Sequence, residues 1–327
     1  MSANIFGERL KMISFGESHG PSYGVVIDGF PANVNLDINL LLKNLARRKP
    51  GQNQFVTARN EDDQPEILSG FYEDKSLGTP IAVIVRNKNQ KSQDYNQIKN
   101  QPRIGHADDT WQNKFGHADH RGGGRSSGRE TLNRVIAGSF AEMFLKQKFS
   151  KQTPTIGAYP VQIADYIFAE NEKKQSDLPL PVQALLVEAK QNGESYGGIV
   201  ECRIQNMPKG LGQPIFHKFK SDLAQAMMSI GAVNGFELGA GFTSNDYKGT
   251  EFHSKLDSEN YGGIRGGITT GEDVVFRLVF KPTSSIKDVA KKGRHDPCII
   301  PRAIPVVESM AWFVLADHVL WAMTDRV

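Results

Sequence analysis

The stretch that most constrains the fold runs from Gly116 to Thr131 and reads GHADHRGGGRSSGRET. Three consecutive glycines, Gly122 to Gly124, precede an arginine, two serines and then a helical pattern. Ser127 and Glu130 have the spacing of a capping box, so the glycines are predicted to lead directly into a helix N-terminus. Apolar residues then recur on one predicted helix face with a period of about 3.6 residues. They are Leu132, Val135, Ile136, Phe140, Met143 and Phe144.

The same stretch indicates an anion site. The first backbone N–H groups of a helix have no helical partner and lie at the positive end of its dipole. Glycines let an anion approach the backbone, while Arg125 and Arg129 add charge and two serines add hydroxyls. A phosphate or carboxylate site and a simple tight turn before a capped helix both fit these residues. The Walker lysine and the dinucleotide-binding glycine spacing are absent from the sequence.

Composition narrows the class of protein. Of 327 residues, 39% are hydrophobic and 23% are charged, which is typical of a globular protein with a substantial core. The net charge of +3 does not require a nucleic-acid partner and suits a protein that binds small anions. The sequence has two cysteines and no apolar leader, and its most apolar segment, Met310–Ala316, is too short to span a membrane. These features favour a cytoplasmic protein.

Strands and helices alternate irregularly along the chain, which predicts one large α+β domain over residues 1–327. Asp37 is predicted to cap a helix that Pro50 ends, with Arg47, Arg48 and Lys49 in its last turn, where solvation is favoured. The other predicted strands cover 10–15, 24–28, 81–85, 198–205 and 274–280, and the other helices cover 182–190, 221–230 and a long segment ending near 323. The only repeat is GHAD, at Gly105 and again at Gly116. His117 and His120 have a metal-site spacing but lack a third ligand nearby, so no metal is expected.

Six loops pair glycine or proline with a titratable or basic residue: GESHG, RRKPG, GHAD, GGGRSSGRE, KPTSS and GRHDPC. Charged, rigid loops between apolar elements are common positions for functional sites. The order of these loops, with GGIRGG before KPTSS, resembles that of the chorismate synthase family from residue 16 to about 320. The resemblance implies a β-α-β sandwich of antiparallel sheets packed with helices, assembled as a homotetramer. It also implies a 1,4-anti elimination of phosphate from 5-enolpyruvylshikimate 3-phosphate that gives chorismate and requires reduced FMN.

Carried over residue by residue, the resemblance implies catalytic roles for His19, His106 and Asp296, with Ser18 and Ser127 as supporting partners. His19 matches the proton donor to the departing phosphate, and His106 matches the histidine that keeps the reduced flavin correctly protonated. Asp296 matches an aspartate that relays a proton from the flavin, although an N-cap or an ion pair with Arg294 also fits it.

The resemblance further implies two binding sets. The flavin set is Arg125, Ser126, Ser127, Gly231, Ala232, Gly266, Lys281, Pro282, Thr283, Ser284, Ser285 and Arg294. The substrate set is Arg48, Arg129, Arg294 and His19. Arg48 matches an arginine that binds substrate or NADP in the family. Turn formation is an alternative role for Gly266 and Pro282.

Several positions depart from the family pattern. Gln54 replaces a common arginine and removes a bidentate anion contact. Gly231 stands where asparagine is frequent, His120 where tyrosine is usual, and residues 286–292 and the C-terminal tail are shorter than in many relatives. We expect a trimmed loop over the flavin pocket with unchanged chemistry. Because no reductase domain is visible and Gln54 weakens an NADP site, reduced flavin is expected from outside, with NADPH as the other source.

Two other function classes fit parts of the sequence. A flavin-dependent oxidoreductase acting on a small anionic substrate would show net hydride transfer, whereas the lyase consumes no reductant per turnover. An RNA-binding module would need aromatic residues among the basic loops, and these loops contain almost none.

Overall fold

The computed structural model describes residues 3–49, 63–87, 105–119, 121–175, 177–256, 259–284, 286–287 and 296–326. The first sheet is antiparallel and has the order β1-β2-β3-β7-β4. Its strands are β1 (Ile5–Phe6), β2 (Lys11–Gly16), β3 (Ser22–Asp28), β4 (Pro65–Ile67) and β7 (Ile81–Arg86). Strands β5 (Phe71–Tyr72) and β6 (Lys75–Ser76) form a separate hairpin.

The second sheet is also antiparallel and has the order β11-β14-β10-β8-β9. Its strands are β8 (Thr155–Ile163), β9 (Tyr166–Ile167), β10 (Gly198–Gln205), β11 (Val233–Leu238) and β14 (Val274–Phe280). Strands β12 (Ile264–Arg265) and β13 (Ile268–Thr269) form another hairpin. In β7 and β14 every second residue is buried, as expected when one face of a strand packs on a core.

A layer of helices separates the two sheets. The helices are α1 (Ile38–Arg48), α2 (Asp108–Phe115), α3 (Thr131–Lys148), α4 (Leu180–Asn192), α5 (Phe219–Met228), α6 (Gly249–Phe252) and α7 (Ile300–Ala322). Helix α3 packs on β2 and β3, α7 packs on β8 and β10, and the two helices pack on each other. The predicted α+β class and β-α-β sandwich are therefore confirmed.

The two central helices come close enough to require glycine at one position. A Cβ atom on Gly138 in α3 would lie 2.4 Å from the carbonyl oxygen of Ser309 in α7. Because α3 packs on a sheet on one side and on α7 on the other, it is buried on all sides. The predicted apolar face is buried, but so are Asn133, Ser139 and Glu142, so the prediction of a single buried face was too narrow.

The chain repeats one topology twice. Residues 11–148 run β2-β3-α1-β4-hairpin-β7-α3, with α2 inserted before α3. Residues 155–322 run β8-β10-α5-β11-hairpin-β14-α7, with β9 and α4 inserted after β8 and α6 after β11. The sheet orders β2-β3-β7-β4 and β8-β10-β14-β11 correspond as well. The sequence showed no repeat beyond GHAD, so this repeat is one of topology. It places a long connecting segment between the last strand and the central helix in each half.

The apolar segment Met310–Ala316 is part of a longer helix, α7. The segment alone is too short to span a membrane, but the whole helix is long and apolar enough to cross one, and it is the one such helix among the described residues. The prediction from the short segment was therefore incomplete. Of the most apolar window of α7, 89% is buried inside the protein. Burial between β8, β10 and α3 accounts for its composition as a core helix.

Local signals predicted many of the elements, although β8 and α2 were not among the predictions. Asp37 caps α1 as expected, since its Oδ1 accepts a hydrogen bond from the Leu40 N–H at 2.9 Å. The prediction that the last turn of α1 is solvated was wrong for Arg48, which is fully buried. Arg47 instead forms a two-point contact with Glu308 of α7, at 2.5 and 3.1 Å. Packing of α1 against α7 therefore decides the environment of this turn.

Candidate active site

The long loops of the two halves meet at one end of the sandwich. Lys281, which follows β14, donates from Nζ to the carbonyl oxygen of Gly105 at 3.2 Å. Arg302, in the first turn of α7, donates from Nε to the carbonyl oxygen of Arg48 at 3.5 Å. Arg48 in turn donates from Nε to Oγ1 of Thr131, the first residue of α3, at 3.0 Å. The N-termini of both central helices therefore lie beside the end of α1, and their positive dipole ends favour an anion there.

A buried cluster of charges occupies this position. The Asp63 carboxylate lies between two predicted substrate arginines, with Oδ1 at 3.0 Å from Arg129 Nη1 and Oδ2 at 3.4 Å from Arg48 Nη1. Burial, with a smaller contribution from the nearby Arg302, lowers the pKa of Arg48 to about 10, against the opposing effect of Asp63. Burial also raises the pKa of Asp63, against the opposing effect of Arg48. Arg48 and Arg129 were predicted for this site, whereas Asp63 and Arg302 were missed because neither belongs to the motifs that the sequence analysis used.

Asn87, directly after β7, connects this cluster to the loop that carries Ser18 and His19. Its Oδ1 accepts from Arg129 Nε at 2.8 Å, and its Nδ2 donates to the carbonyl oxygens of Glu17 and Gly20 at 3.2 and 2.7 Å. Both Ser18 and His19 are buried, and the Ser18 hydroxyl has no hydrogen-bond partner within the described part of the chain. The structure thus brings the predicted proton donor loop next to the predicted substrate arginines. Asn87 was missed, since a lone asparagine after a strand carries no signal.

His106 lies at the start of α2, and its Nδ1 is 2.6 Å from Oδ1 of Asp108. The Asp108 side chain is almost fully buried and that of His106 is mostly buried. The contact favours the tautomer of His106 that carries a proton on Nδ1. His117, in the second copy of GHAD, is exposed in contrast. The two copies therefore differ in environment although their sequences are identical.

Asp296 precedes α7, and its Oδ2 lies 2.5 Å from Arg302 Nη1. Its carbonyl oxygen accepts from Oγ1 of Thr283 at 3.2 Å, which joins the KPTSS loop to the GRHDPC loop. The alternative partner Arg294 lies outside the described residues, as do Gln54, His120 and Ser285. Arg302 is thus the observed ion-pair partner of Asp296.

The glycine-rich loop only partly follows its prediction. Residues Arg121–Ser126 and Gly128–Glu130 form short 3-10 helices, and Ser127 caps the second by accepting from the Arg129 N–H at 3.4 Å. Glu130 pairs with Arg134 at 2.8 Å, so the reciprocal half of a capping box is not seen. Helix α3 follows at Thr131, so the glycines lead into a helix as predicted, but Ser127 caps the preceding 3-10 turn and not α3 itself.

Arg125 does not point its charge into an open anion cradle. Its guanidinium donates to the carbonyl oxygens of Gly16 and Ser14 at 3.1 and 3.2 Å and to the Ser14 hydroxyl at 3.0 Å. The adjacent Ser126 hydroxyl donates to the Gly123 carbonyl oxygen at 2.7 Å. These contacts tie the glycine-rich loop to the end of β2, so any anion contact by Arg125 and Ser126 depends mainly on their backbone N–H groups.

The remaining residues of the predicted flavin set fall in two places. Ala232 has a φ of 70°, and its carbonyl oxygen accepts from the Lys281 N–H at 2.9 Å, while Ser284 lies beside Gly105. Pro282 follows Lys281 in the same loop. Gly266 lies in the β12–β13 hairpin, where the neighbouring Gly267 carbonyl oxygen accepts from the Phe219 N–H of α5 at 2.9 Å. A Cβ atom on Gly231 or Gly266 would have no heavy atom within 4 Å. Both positions therefore border open space.

Two groups near the glycine-rich loop have shifted pKa values. Burial raises the pKa of Glu17, with Arg125 opposing the shift and Asp119 adding to it. Burial raises the pKa of Tyr23 to about 12, and its hydroxyl donates to the Gly124 carbonyl oxygen at 3.2 Å. Within the described ranges, no group of three or more His, Cys, Asp or Glu side chains could hold a metal ion.

Comparison with known proteins places this arrangement among its relatives. The family model described as chorismate synthase matches residues 10–320. A chorismate synthase of Bdellovibrio bacteriovorus is 57% identical over 343 residues, with 100% of both chains covered. One from Christiangramia forsetii is 42% identical over 354 residues, again with 100% of both chains covered. A crystal structure of chorismate synthase matches with a TM-score of 0.77 at 30% identity, covering 97% of this chain and 94% of that chain.

Proposed function

The chain belongs to the chorismate synthase family, and we propose from this premise how its own residues carry out the reaction. The reaction is that of a carbon–oxygen lyase of the shikimate pathway, which converts 5-enolpyruvylshikimate 3-phosphate to chorismate. The observation that supports this function best is the buried cluster of Arg48, Arg129 and Asp63 beside His19. The substrate carries a phosphate and two carboxylates, and buried guanidinium groups bind such oxygens strongly in a site that excludes water.

His19 is the proposed proton donor to the departing phosphate. A neutral elimination needs a proton on the leaving group, and histidine can supply one near pH 7. Asn87 supports this role, because it fixes the His19 loop through the Gly20 carbonyl oxygen and also contacts Arg129. The phosphate would therefore meet a proton donor and a guanidinium held by the same amide side chain.

His106 and Asp296 are proposed to handle the protons of the reacting ring system. Asp108 fixes the tautomer of His106 at Nδ1, and Arg302 holds Asp296 in place at 2.5 Å. Ser127 stays a proposed partner of the relay, although its described role is to cap the turn that carries Arg129. Ser18 fits the same role, because its buried hydroxyl still lacks a hydrogen-bond partner among the described residues.

The family implies a flavin-dependent enzyme, and the residues present fit reduced FMN. Open space beside Gly231 and Gly266 leaves room for a planar ring system, and the Lys281–Ser284 loop supplies a cation and hydroxyls next to Gly105. Arg125 to Ser127 would contribute backbone N–H groups. When bound, reduced FMN supplies electrons to the allylic system and recovers them, so that no net redox change results.

The finer predictions from the sequence remain part of this proposal. We propose a single domain over residues 1–327, in line with one helix layer shared by both sheets. The resemblance supports a homotetramer, and the presence of only two cysteines in the sequence supports a cytoplasmic location. The change to Gln54 supports an externally supplied reductant, with NADPH as the other source.

The decisive experiment is an anaerobic assay of the purified protein with 5-enolpyruvylshikimate 3-phosphate and chemically reduced FMN. We expect phosphate and chorismate in equal amounts over many turnovers, with no consumption of reductant. His106→Ala should abolish turnover, and His117→Ala, at the same place in the exposed copy of GHAD, should leave it unchanged. Net oxidation of flavin with hydride transfer to an organic acceptor would instead support the flavin-dependent oxidoreductase.

A further inference from the structure

Asp63 lies between two buried arginines, and none of the sequence motifs includes it. The side chains of Arg48, Arg129 and Asp63 are only 2%, 6% and 2% exposed. We propose that Asp63 is a positioning residue that holds Arg48 and Arg129 as a preset pair for an anionic group of the substrate. This inference rests on the proposed function, because it concerns the site in which that substrate would bind.

Other contacts already restrain each guanidinium. Arg48 donates from Nε to Thr131 Oγ1 and from Nη2 to the Gly128 carbonyl oxygen, both at 3.0 Å. Arg129 donates from Nε to Asn87 at 2.8 Å and lies over the Tyr23 ring. Among the described residues, Asp63 is the one acceptor that both arginines share. Its carboxylate therefore fixes the separation and relative orientation of the two cations.

The charged groups of the cluster are almost fully buried. Among the described residues, the guanidinium groups of Arg48 and Arg129 both face the Asp63 carboxylate, and Arg302 pairs with Asp296 nearby. Burial works against the charged state of both Arg48 and Asp63, as their pKa shifts indicate. An anion that contacts the arginines would offset this cost, since attraction between charges is strong in a buried site.

A purely structural salt bridge explains these features less well. Burial of an ion pair rarely adds net stability, because the loss of hydration outweighs the attraction. Asp63 also has a φ of 43°, in the left-handed region that non-glycine residues seldom adopt. Strained backbone and buried charge together are typical of functional sites, where the surrounding structure maintains a geometry that stability alone would not select.

The test uses Asp63→Asn, which keeps the side-chain shape and removes the charge. Without the shared carboxylate the two guanidiniums repel each other and lose their fixed orientation, and this loss is expected to outweigh the added attraction of one more net positive charge for the anion. We expect the KM for 5-enolpyruvylshikimate 3-phosphate to rise about 10-fold or more, while kcat changes by less than about 3-fold, since uniform binding is affected. The Kd for inorganic phosphate, measured by calorimetry without flavin, should rise in parallel. Asp63→Glu retains the charge and should recover part of the lost affinity.

The matched control is Glu66→Gln, which breaks a carboxylate–arginine pair with Arg86 whose side chains are 44% and 56% exposed. It should leave KM and phosphate affinity unchanged. A wild-type KM together with a wild-type phosphate Kd in Asp63→Asn would overturn the proposal. Equal phosphate affinities in Asp63→Asn and Asp63→Glu would overturn it as well. The phosphate measurement does not depend on turnover, so it separates this proposal from a failure of the proposed function.

A second variant covers the case in which Asp63→Asn does not fold. Thr131→Val removes the acceptor for Arg48 Nε without removing a charge. If the position of Arg48 matters for anion binding, KM should rise at least about 3-fold with kcat nearly constant. An unchanged KM would contradict the preset pair.

Discussion

His106 and Asp108 form a close contact, with Nδ1 of the histidine 2.6 Å from Oδ1 of the aspartate, across the first turn of α2. The aspartate is two residues further along the same tetrapeptide, so the sequence supplies both partners, while burial of Asp108 is supplied by the fold. A buried carboxylate on Nδ1 fixes the orientation of the ring, as in other carboxylate–histidine pairs.

Asp108→Asn is therefore expected to lower kcat by about 10- to 100-fold, the usual effect of losing a partner that orients a functional histidine. The KM for the substrate should change little, because Asp108 is not among the proposed substrate contacts. Steady-state kinetics under anaerobic conditions measures both. Asp109→Asn, at the exposed neighbouring position, is the control. An equal loss in both variants would show that the charge of α2, and not the pair, is responsible.

Glu17→Gln is expected to stabilise the protein at pH 7. Burial raises the pKa of Glu17, so its ionised form is less favourable in the folded protein than in the unfolded chain. That cost is fully present above the folded-state pKa and disappears as the pH falls below the unfolded value. The variant should therefore have a higher Tm than the parent at pH 7, and the difference should shrink as the pH approaches 4. Thermal unfolding across this range checks the sign, with Glu188→Gln on the exposed face of α4 as control.

Asp317→Ala is expected to weaken the attachment of the N-terminal segment to α7. The Asp317 carboxylate accepts from the backbone N–H groups of Glu8, Arg9 and Leu10 at 3.0, 2.7 and 2.8 Å. Removing it leaves three buried or partly buried donors without this acceptor, which should cost about 2–4 kcal/mol of unfolding free energy. Urea unfolding measures the loss, and limited proteolysis should show cleavage near residues 7–10. Asp325→Asn, at an exposed position, should show neither change.

Gly138→Ala is expected to separate α3 from α7. The new Cβ would lie 2.4 Å from the Ser309 carbonyl oxygen, a distance that only a shift of helix backbone can relieve. Overpacking of this kind typically costs about 1–3 kcal/mol, and the upper end is expected where backbone meets backbone. Gly249→Ala at the start of α6 has no heavy atom within 4 Å of its new Cβ and should be nearly neutral. Similar unfolding midpoints for the two variants would contradict this packing argument.

The residues for which the sequence predicted ligand contacts differ in how their side chains are held. Arg48, Arg129, His19, Asn87 and Asp63 are joined by described hydrogen bonds or lie in one loop, so a role for them as a unit has structural support. Arg125 is committed to β2 through Gly16 and Ser14, whereas Gly266 borders open space next to Gly267, which contacts the start of α5. Their proposed flavin contacts remain predictions.

Local sequence patterns were enough to predict many of the helices and strands and to identify the functional loops. The spacing of apolar residues predicted α3, β7 and β14, because the period of a helix or a strand shows in residues one to four positions apart. Asp37 marked the start of α1 because an N-cap is also a signal between near neighbours in the sequence. The ordered loop motifs were enough to establish the family, because six of them in one order seldom coincide by chance.

Which charged residues are buried together depends on the tertiary packing of the helices. Arg48 looked like an ordinary solvated residue at the end of a helix, and it became a buried member of the site because α1 packs between α3 and α7. Asp63 and Arg302 reach it from positions 15 and 254 residues away along the chain. Such pairings depend on how the two halves dock, and local sequence carries no periodic signal for them. The same reason hid the topological repeat, since matching strand orders require no matching side chains.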